Sequence, residues 1–251
     1  MTILFRLILC LMLLLCAACG KKGALIPPDG LVPPPVSGLR VVQQGELFRI
    51  SWLAPEIGVS GQGGTPLAGF RLYRRELRSP GDDCPTCGAD ELLIRTVELE
   101  FLRDVLREGN LFVASDGDVR SGKSYQYRVA AFEQSGAENR DSGRVKRRKV
   151  QPPPAPLLRL EEVPAGIMLE WGAVQVKSGT LSGYNVYRLR PGETISFRSL
   201  NTVPLTENRY EDLRMEQELR YRYRVRAVAL VEGESVESDP SQEVEGRFVL
   251  P

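Results

Sequence analysis

The chain has 251 residues, enough for two domains of ordinary size that each bury a core. Its 33 lysines and arginines nearly balance 32 aspartates and glutamates, so a net charge of +1 supplies no general attraction to nucleic acid or acidic substrates. Histidine is absent, which removes the commonest general base, the usual zinc ligand and every Ser-His or Cys-His nucleophile; no catalytic centre, metal site or cofactor is expected.

At the amino terminus, residues 1–6 carry Arg6, and 7–15 form an almost unbroken apolar run leading into Cys16-Ala17-Ala18-Cys19-Gly20. Charge, apolar run and small residues in that order are the parts of a secretory signal peptide, expected here over 1–18. The run is shorter than the ~20 residues a spanning helix needs. Ala17, Ala18 and Cys19 resemble the lipobox of bacterial lipoproteins, with Cys16 standing where that family usually has leucine. The resemblance implies cleavage after Ala18, a diacylglyceryl thioether on Cys19 and a fatty acyl group, such as palmitate, on the new amino terminus. At ~0.8 kcal/mol per buried methylene, several such chains hold a protein on a membrane almost permanently. The expected location is therefore the cell envelope. Because Gly20 rather than aspartate follows the cysteine, the family rule points to the outer membrane in a Gram-negative host.

Residues 19–36 are rich in glycine, lysine and proline, with Pro27-Pro28 and Pro33-Pro34-Pro35. Such a stretch favours extended polyproline conformations over helix or sheet. About eighteen residues at ~3.1 Å each would reach roughly 50 Å, so a tether is expected here. Its opening, Cys19-Gly20-Lys21-Lys22-Gly23-Ala24-Leu25-Ile26-Pro27-Pro28, resembles the mature start of small enterobacterial lipoproteins that assist assembly of the lipopolysaccharide translocon, which implies an assembly role.

A second proline cluster, 151–156, divides the remainder into 37–150 and 157–251, and the two stretches repeat one another. Phe48-Arg49-Ile50-Ser51-Trp52 matches Ile167-Met168-Leu169-Glu170-Trp171. Gly69-Phe70-Arg71-Leu72-Tyr73-Arg74 matches Gly183-Tyr184-Asn185-Val186-Tyr187-Arg188. Tyr125-Gln126-Tyr127-Arg128-Val129 matches Tyr221-Arg222-Tyr223-Arg224-Val225, and Asp104 is taken as the counterpart of Asp212. Each piece alternates apolar and polar residues, the period of a half-buried strand, with glycine, proline and serine between. The expected fold is all-β, two tandem antiparallel β-sandwiches. Both units are similar to fibronectin type III domains, which implies that Trp52 and Trp171 anchor the cores and that Tyr125 and Tyr221 form tyrosine corners. The first unit is longer, and its surplus is assigned to the connections 57–66, 78–90 and 106–121.

Three constellations bear chemistry. Cys84-Pro85-Thr86-Cys87 admits a local disulfide, a thiol–disulfide redox pair or half a metal site. Arg220, Arg222, Arg224 and Arg226 alternate with apolar residues and so share one solvent face with an outward Tyr187. That face is either an anion-binding surface or a solvated one offset by Glu216, Glu218 and Glu232. The run Lys146-Arg147-Arg148-Lys149 closes the first unit, where charge protects an edge strand or meets an anionic lipid.

These features predict a non-enzymatic envelope lipoprotein, membrane-bound through Cys19, whose sandwiches bind a protein or a glycan and no nucleic acid. The alternatives are a tethered redox protein using Cys84 and Cys87, or a translocon assembly factor.

Overall fold

The computed structural model describes residues 32–55, 66–78, 90–139, 143–193 and 196–248. The signal segment, Cys19, most of the tether, Cys84 and Cys87 lie outside the described residues. Among those described there is no α-helix. The first half carries β1 (Ser37–Gln44), β2 (Leu47–Leu53), β3 (Leu67–Leu77), β4 (Leu92–Glu98), β5 (Val105–Glu108), β6 (Leu111–Asp116), β7 (Ser124–Glu133) and β8 (Arg144–Arg148). The second half carries β9 (Leu158–Val163), β10 (Gly166–Trp171), β11 (Thr180–Leu189), β12 (Arg209–Asp212), β13 (Arg220–Val231), β14 (Glu234–Glu237) and β15 (Val244–Arg247).

Alternation places the cores. In β2, Phe48, Ile50 and Trp52 are fully buried; in β7, Tyr125, Tyr127, Val129 and Ala131; in β13, Tyr221, Tyr223, Val225 and Ala227. The first sandwich sets β1-β2-β6-β5 against β4-β3-β7-β8, and the second sets β9-β10-β12 against β11-β13-β15. This is the strand order of immunoglobulin-like sandwiches. Trp52 stacks on Phe112 at 5.8 Å and meets Phe70 edge-on at 5.6 Å, while Trp171 tilts on Tyr184 at 5.4 Å. Both indole N–H groups are buried without an acceptor. That costs ~1–3 kcal/mol each, less than the ~4–6 kcal/mol gained by burying 150–250 Å² of ring.

The repeat extends to local backbone devices. Gly69 and Gly183, which open the third strand of each unit, both sit at a register shift. A Cβ there would meet the oxygen of Val97 at 1.9 Å or of Leu205 at 2.4 Å, so only glycine lets the neighbouring chain approach. The hydroxyl of Tyr125 accepts from the Arg120 N–H at 3.0 Å, and that of Tyr221 from the Glu216 N–H at 3.1 Å. Each bond spans five residues, the tyrosine corner of this fold.

A second buried anchor accompanies each corner. Tyr127 donates to Asp116 at 2.7 Å, and Arg74 pairs with the same carboxylate at 3.0 Å. Tyr223 donates to Asp212 at 2.8 Å, and Arg188 pairs with it at 2.8 Å. In both units the aspartate also accepts the N–H two residues on, from Asp118 and from Arg214. The counterpart of Asp212 is thus Asp116, not Asp104, whose side chain is 88% exposed in a turn with φ 52°. Spacing carries the correct register: each aspartate lies eleven residues before its tyrosine.

The same correction removes one expected insertion. Residues 106–121 hold the end of β5 and all of β6, whose Phe112 and Ala114 are core. Both proline segments are docked at their carboxyl ends. Pro33 and Val36 are buried, with the Pro33 carbonyl accepting from Asn139 at 2.7 Å, so the free tether ends before residue 36. Pro153 and Pro156 are buried in the linker.

Candidate functional site

The two sandwiches are joined by more than a linker. β13 is long, running past its own sandwich, and folds back through Glu232 (φ 51°) and Gly233 (φ 81°) into β14. Two successive positive φ values suit the right-handed twist of a tight hairpin. β14 then lies parallel to β1, with Gln43 opposite Val236 and Gln44 opposite Glu237, and the Gly45 N–H donates to the Glu237 carbonyl at 2.9 Å. One eight-stranded sheet consequently runs from β11 to β5 through both units. Val150, Ala229, Val231 and Val236 form a small apolar cluster at the seam.

Polar side chains brace the first unit beside this seam, and two arginines cross it. Gln43 is buried, its amide donating to the Val150 carbonyl at 2.7 Å and accepting the Val150 N–H at 3.0 Å. Lys149 is fully buried, and its ammonium donates to the Gly45 carbonyl at 3.2 Å and to Glu46 at 2.8 Å. Arg147 pairs with Glu234, and Arg148 with Glu232 at 3.1 Å, both on the β13–β14 hairpin. The basic run 146–149 does terminate an edge strand, yet two of its cations, Arg147 and Arg148, pair across the junction. Sequence reasoning missed that role. The available signal was the apolar alternation on both sides of Glu232-Gly233, which reads as a hairpin.

At the centre is Glu237. It accepts from Tyr187 Oη at 2.7 Å, from Asn185 Nδ2 at 2.5 Å and from Gln44 Nε2 at 2.8 Å, with Arg226 Nε at 3.9 Å. Tyr187 does point away from its sandwich core, as alternation requires, but it is buried at the seam rather than solvent-facing. Burial and then the Glu237 charge push its hydroxyl pKa well above the ordinary 10. Among the described residues the hydrogen bonds of Arg49 go to neutral groups, Gln44 Oε1 at 3.0 Å and Ser115 Oγ at 2.8 Å, while Glu237 attracts it from a distance. Burial and then repulsion from Arg226 lower its pKa.

The arginine ladder lies alongside. Arg220 pairs with Glu245 at 2.8 Å, and Arg222 and Arg224 share Glu243 at 3.1 and 2.7 Å. Arg226 turns to the Ser238 carbonyl at 2.6 Å as well as Glu237. The offsetting carboxylates therefore come from the chain around β15 and from β14. Glu216 and Glu232 are engaged elsewhere, with Arg190 and Arg148. Residues 78–90, with Cys84 and Cys87, fall largely outside the described residues, as does Cys19. Among those described, no group of three metal-ligating side chains converges.

Beside the seam is an open cleft of about 780 Å³, lined by Arg40 and Val42 of β1, by Arg147, by Glu237 and by the segment 197–204. Arg198 of that segment reaches across to Glu108 of β5 at 3.1 Å, a second bridge between the units.

No family model matches the chain. Among solved structures it is similar to the chicken CNTN1 FN1-FN3 domains, at 15% identity and a TM-score of 0.38, over 87% of this chain and 68% of that one.

Proposed function

We propose that this chain is a non-enzymatic cell-envelope lipoprotein that presents a fixed pair of β-sandwiches as a binding scaffold. The observation that carries the scaffolding half is the junction. A shared sheet, the hydrogen bond from Gln44 to Glu237 and the ion pairs of Arg147, Arg148 and Arg198 oppose rotation of one sandwich against the other. Interfaces between domains of one chain are otherwise expected to allow relative motion. A scaffold that holds two surfaces at a constant angle needs this stiffness.

The lipobox at Ala17-Ala18-Cys19 supports the anchoring half. With Pro33 docked on the first sandwich, the fourteen-residue step from Cys19 would span at most roughly 45 Å when extended.

Mass spectrometry of the protein extracted from membranes tests the anchor. The amino-terminal peptide is expected to begin at an acylated Cys19, and Cys19→Ser is expected to release a water-soluble product. An unmodified Cys19 in a protein that is already soluble overturns the reading. In-cell crosslinking followed by identification of the species joined to the folded body tests the scaffold.

A further inference from the structure

We propose that the β13–β14 hairpin of the second sandwich is a strap that ties together the two sheets of the first, so that loosening the hairpin loosens the other unit's core. This deepens the scaffold reading above, from the angle between the units to the stability of one of them.

The hairpin grips the first sandwich on both sheets. On one sheet, Val236 and Glu237 pair with Gln43 and Gln44 of β1, whose other neighbour is β2. On the opposite sheet, Arg147 of β8 binds Glu234 and the Ser235 carbonyl, and Arg148 pairs with Glu232 at 3.1 Å. The strands next to those it grips carry the core. Gln43 stands opposite Phe48 of β2, and Arg147 opposite Tyr125 of β7. Phe48 and Tyr125 are buried and meet edge-on at 6.2 Å between the two sheets. A strap over β1 and β8 therefore closes the sandwich at the level of that contact. Without β14, the end of β1 is an open edge whose N–H and C=O groups lose their partners.

The contact is built from both sides. Ala229 and Val231 of β13 and Val236 of β14 are fully buried, yet they lie outside the second core; they cluster with Val150, which follows the first unit's basic run. Apolar surface covered by a residue of the other unit stabilises the fold only while the units stay docked. In the first unit, the turn between β1 and β2 is shaped to receive the hairpin. Gly45 has φ 58°, and its N–H donates to the Glu237 carbonyl at 2.9 Å. A Cβ there would meet Asp239 Oδ1 at 1.8 Å and Asp239 Cα at 3.2 Å, so glycine serves the approach of the other unit as well as the turn. Coupling of this kind is reciprocal: whatever frees β14 shifts the folding equilibrium of the first sandwich, and loosening the first sandwich frees β14.

The test is amide hydrogen exchange of the full-length protein in detergent, followed in the core strands β2 and β7 of the first sandwich. Val236→Ala thins the strap from within the second unit and is expected to speed exchange in β2 and β7 about tenfold. Glu232→Gln combined with Glu234→Gln leaves the apolar cluster whole and is expected to speed it about two- to fivefold, an effect that shrinks in high salt. Leu213→Ala, at an exposed position of the second unit away from the hairpin, is the control and is expected to leave β2 and β7 unchanged. Unchanged exchange in β2 and β7 of Val236→Ala overturns the proposal, whether or not the second sandwich has itself loosened. An unchanged rate in the glutamine pair overturns the grip on β8, and with it the tie between the two sheets. Neither result bears on the anchor at Cys19, and the angle between the units is read separately from spin-label distances.

Discussion

Asp116 and Asp212 are only 7% and 2% exposed, and each is the shared acceptor of a buried tyrosine, an arginine and a backbone N–H. Replacing either by alanine removes three acceptor interactions at once. It takes the buried carboxylate from Arg188, 15% exposed, which keeps only the Arg214 carbonyl at 2.6 Å, and from Arg74, 11% exposed, which keeps Asp118 at 2.8 Å, so the larger loss is expected for Asp212→Ala. Leaving one member of a buried ion pair without its partner costs ~3–5 kcal/mol. At a urea slope of ~2 kcal/mol/M, a loss of ~4 kcal/mol moves the unfolding midpoint down by about 2 M. Each sandwich carries one tryptophan, so fluorescence with Trp52→Phe or Trp171→Phe in the background assigns the transition to a unit. Asp104→Asn is the control, since asparagine tolerates the same positive φ and the side chain is solvated; its effect is expected to stay within ~0.5 kcal/mol. A loss below ~1 kcal/mol for Asp116→Ala or Asp212→Ala, or a comparable loss for Asp104→Asn, would refute the paired-anchor account.

Three further outcomes are expected. Tyr125→Phe and Tyr221→Phe each leave one backbone N–H without its acceptor and should cost ~1–2 kcal/mol by the same urea assay, with similar values in the two units. Glu138 tests pH dependence. Burial raises its pKa, but hydrogen bonds from Arg71, Tyr73 and Arg128 outweigh that and hold it below the ordinary 4.5. Its contribution is thus complete above the unfolded-state value and lost as pH falls through the lower folded value. Glu138→Gln should flatten the loss of stability on acidification, and an unchanged pH profile contradicts this. Glu237→Ala withdraws the acceptor shared by Tyr187, Asn185 and Gln44 across the seam. Distances between spin labels placed on β4 and β12 should broaden in that variant, and a distribution as narrow as the wild type's would show that the remaining clasps suffice.

The expected disulfide at Cys84 and Cys87 illustrates where local reading stops, since its residues lie outside those the structure describes. Elsewhere the contrast is between local pattern and distant pairing. Phe48-Arg49-Ile50-Ser51-Trp52 announces its buried face by alternation alone, because successive side chains of a strand point to opposite sides. The tyrosine corners are equally legible, since the bond closes over five residues. Alternation gave Tyr187 the correct side of its strand but not its burial, for a sequence period says which way a side chain points and not what lies there.

The sequence by itself determined the all-β class, the duplication, the residues of each core and the absence of histidine chemistry, all of which rest on short-range period and residue type. Only the tertiary structure decided that β14 joins β1, that Lys149 is buried at a seam, that Asp116 rather than Asp104 repeats Asp212, and that the ladder meets Glu243 and Glu245. Those contacts join residues far apart along the chain. Their partners are selected by packing and charge in three dimensions, which no local pattern encodes.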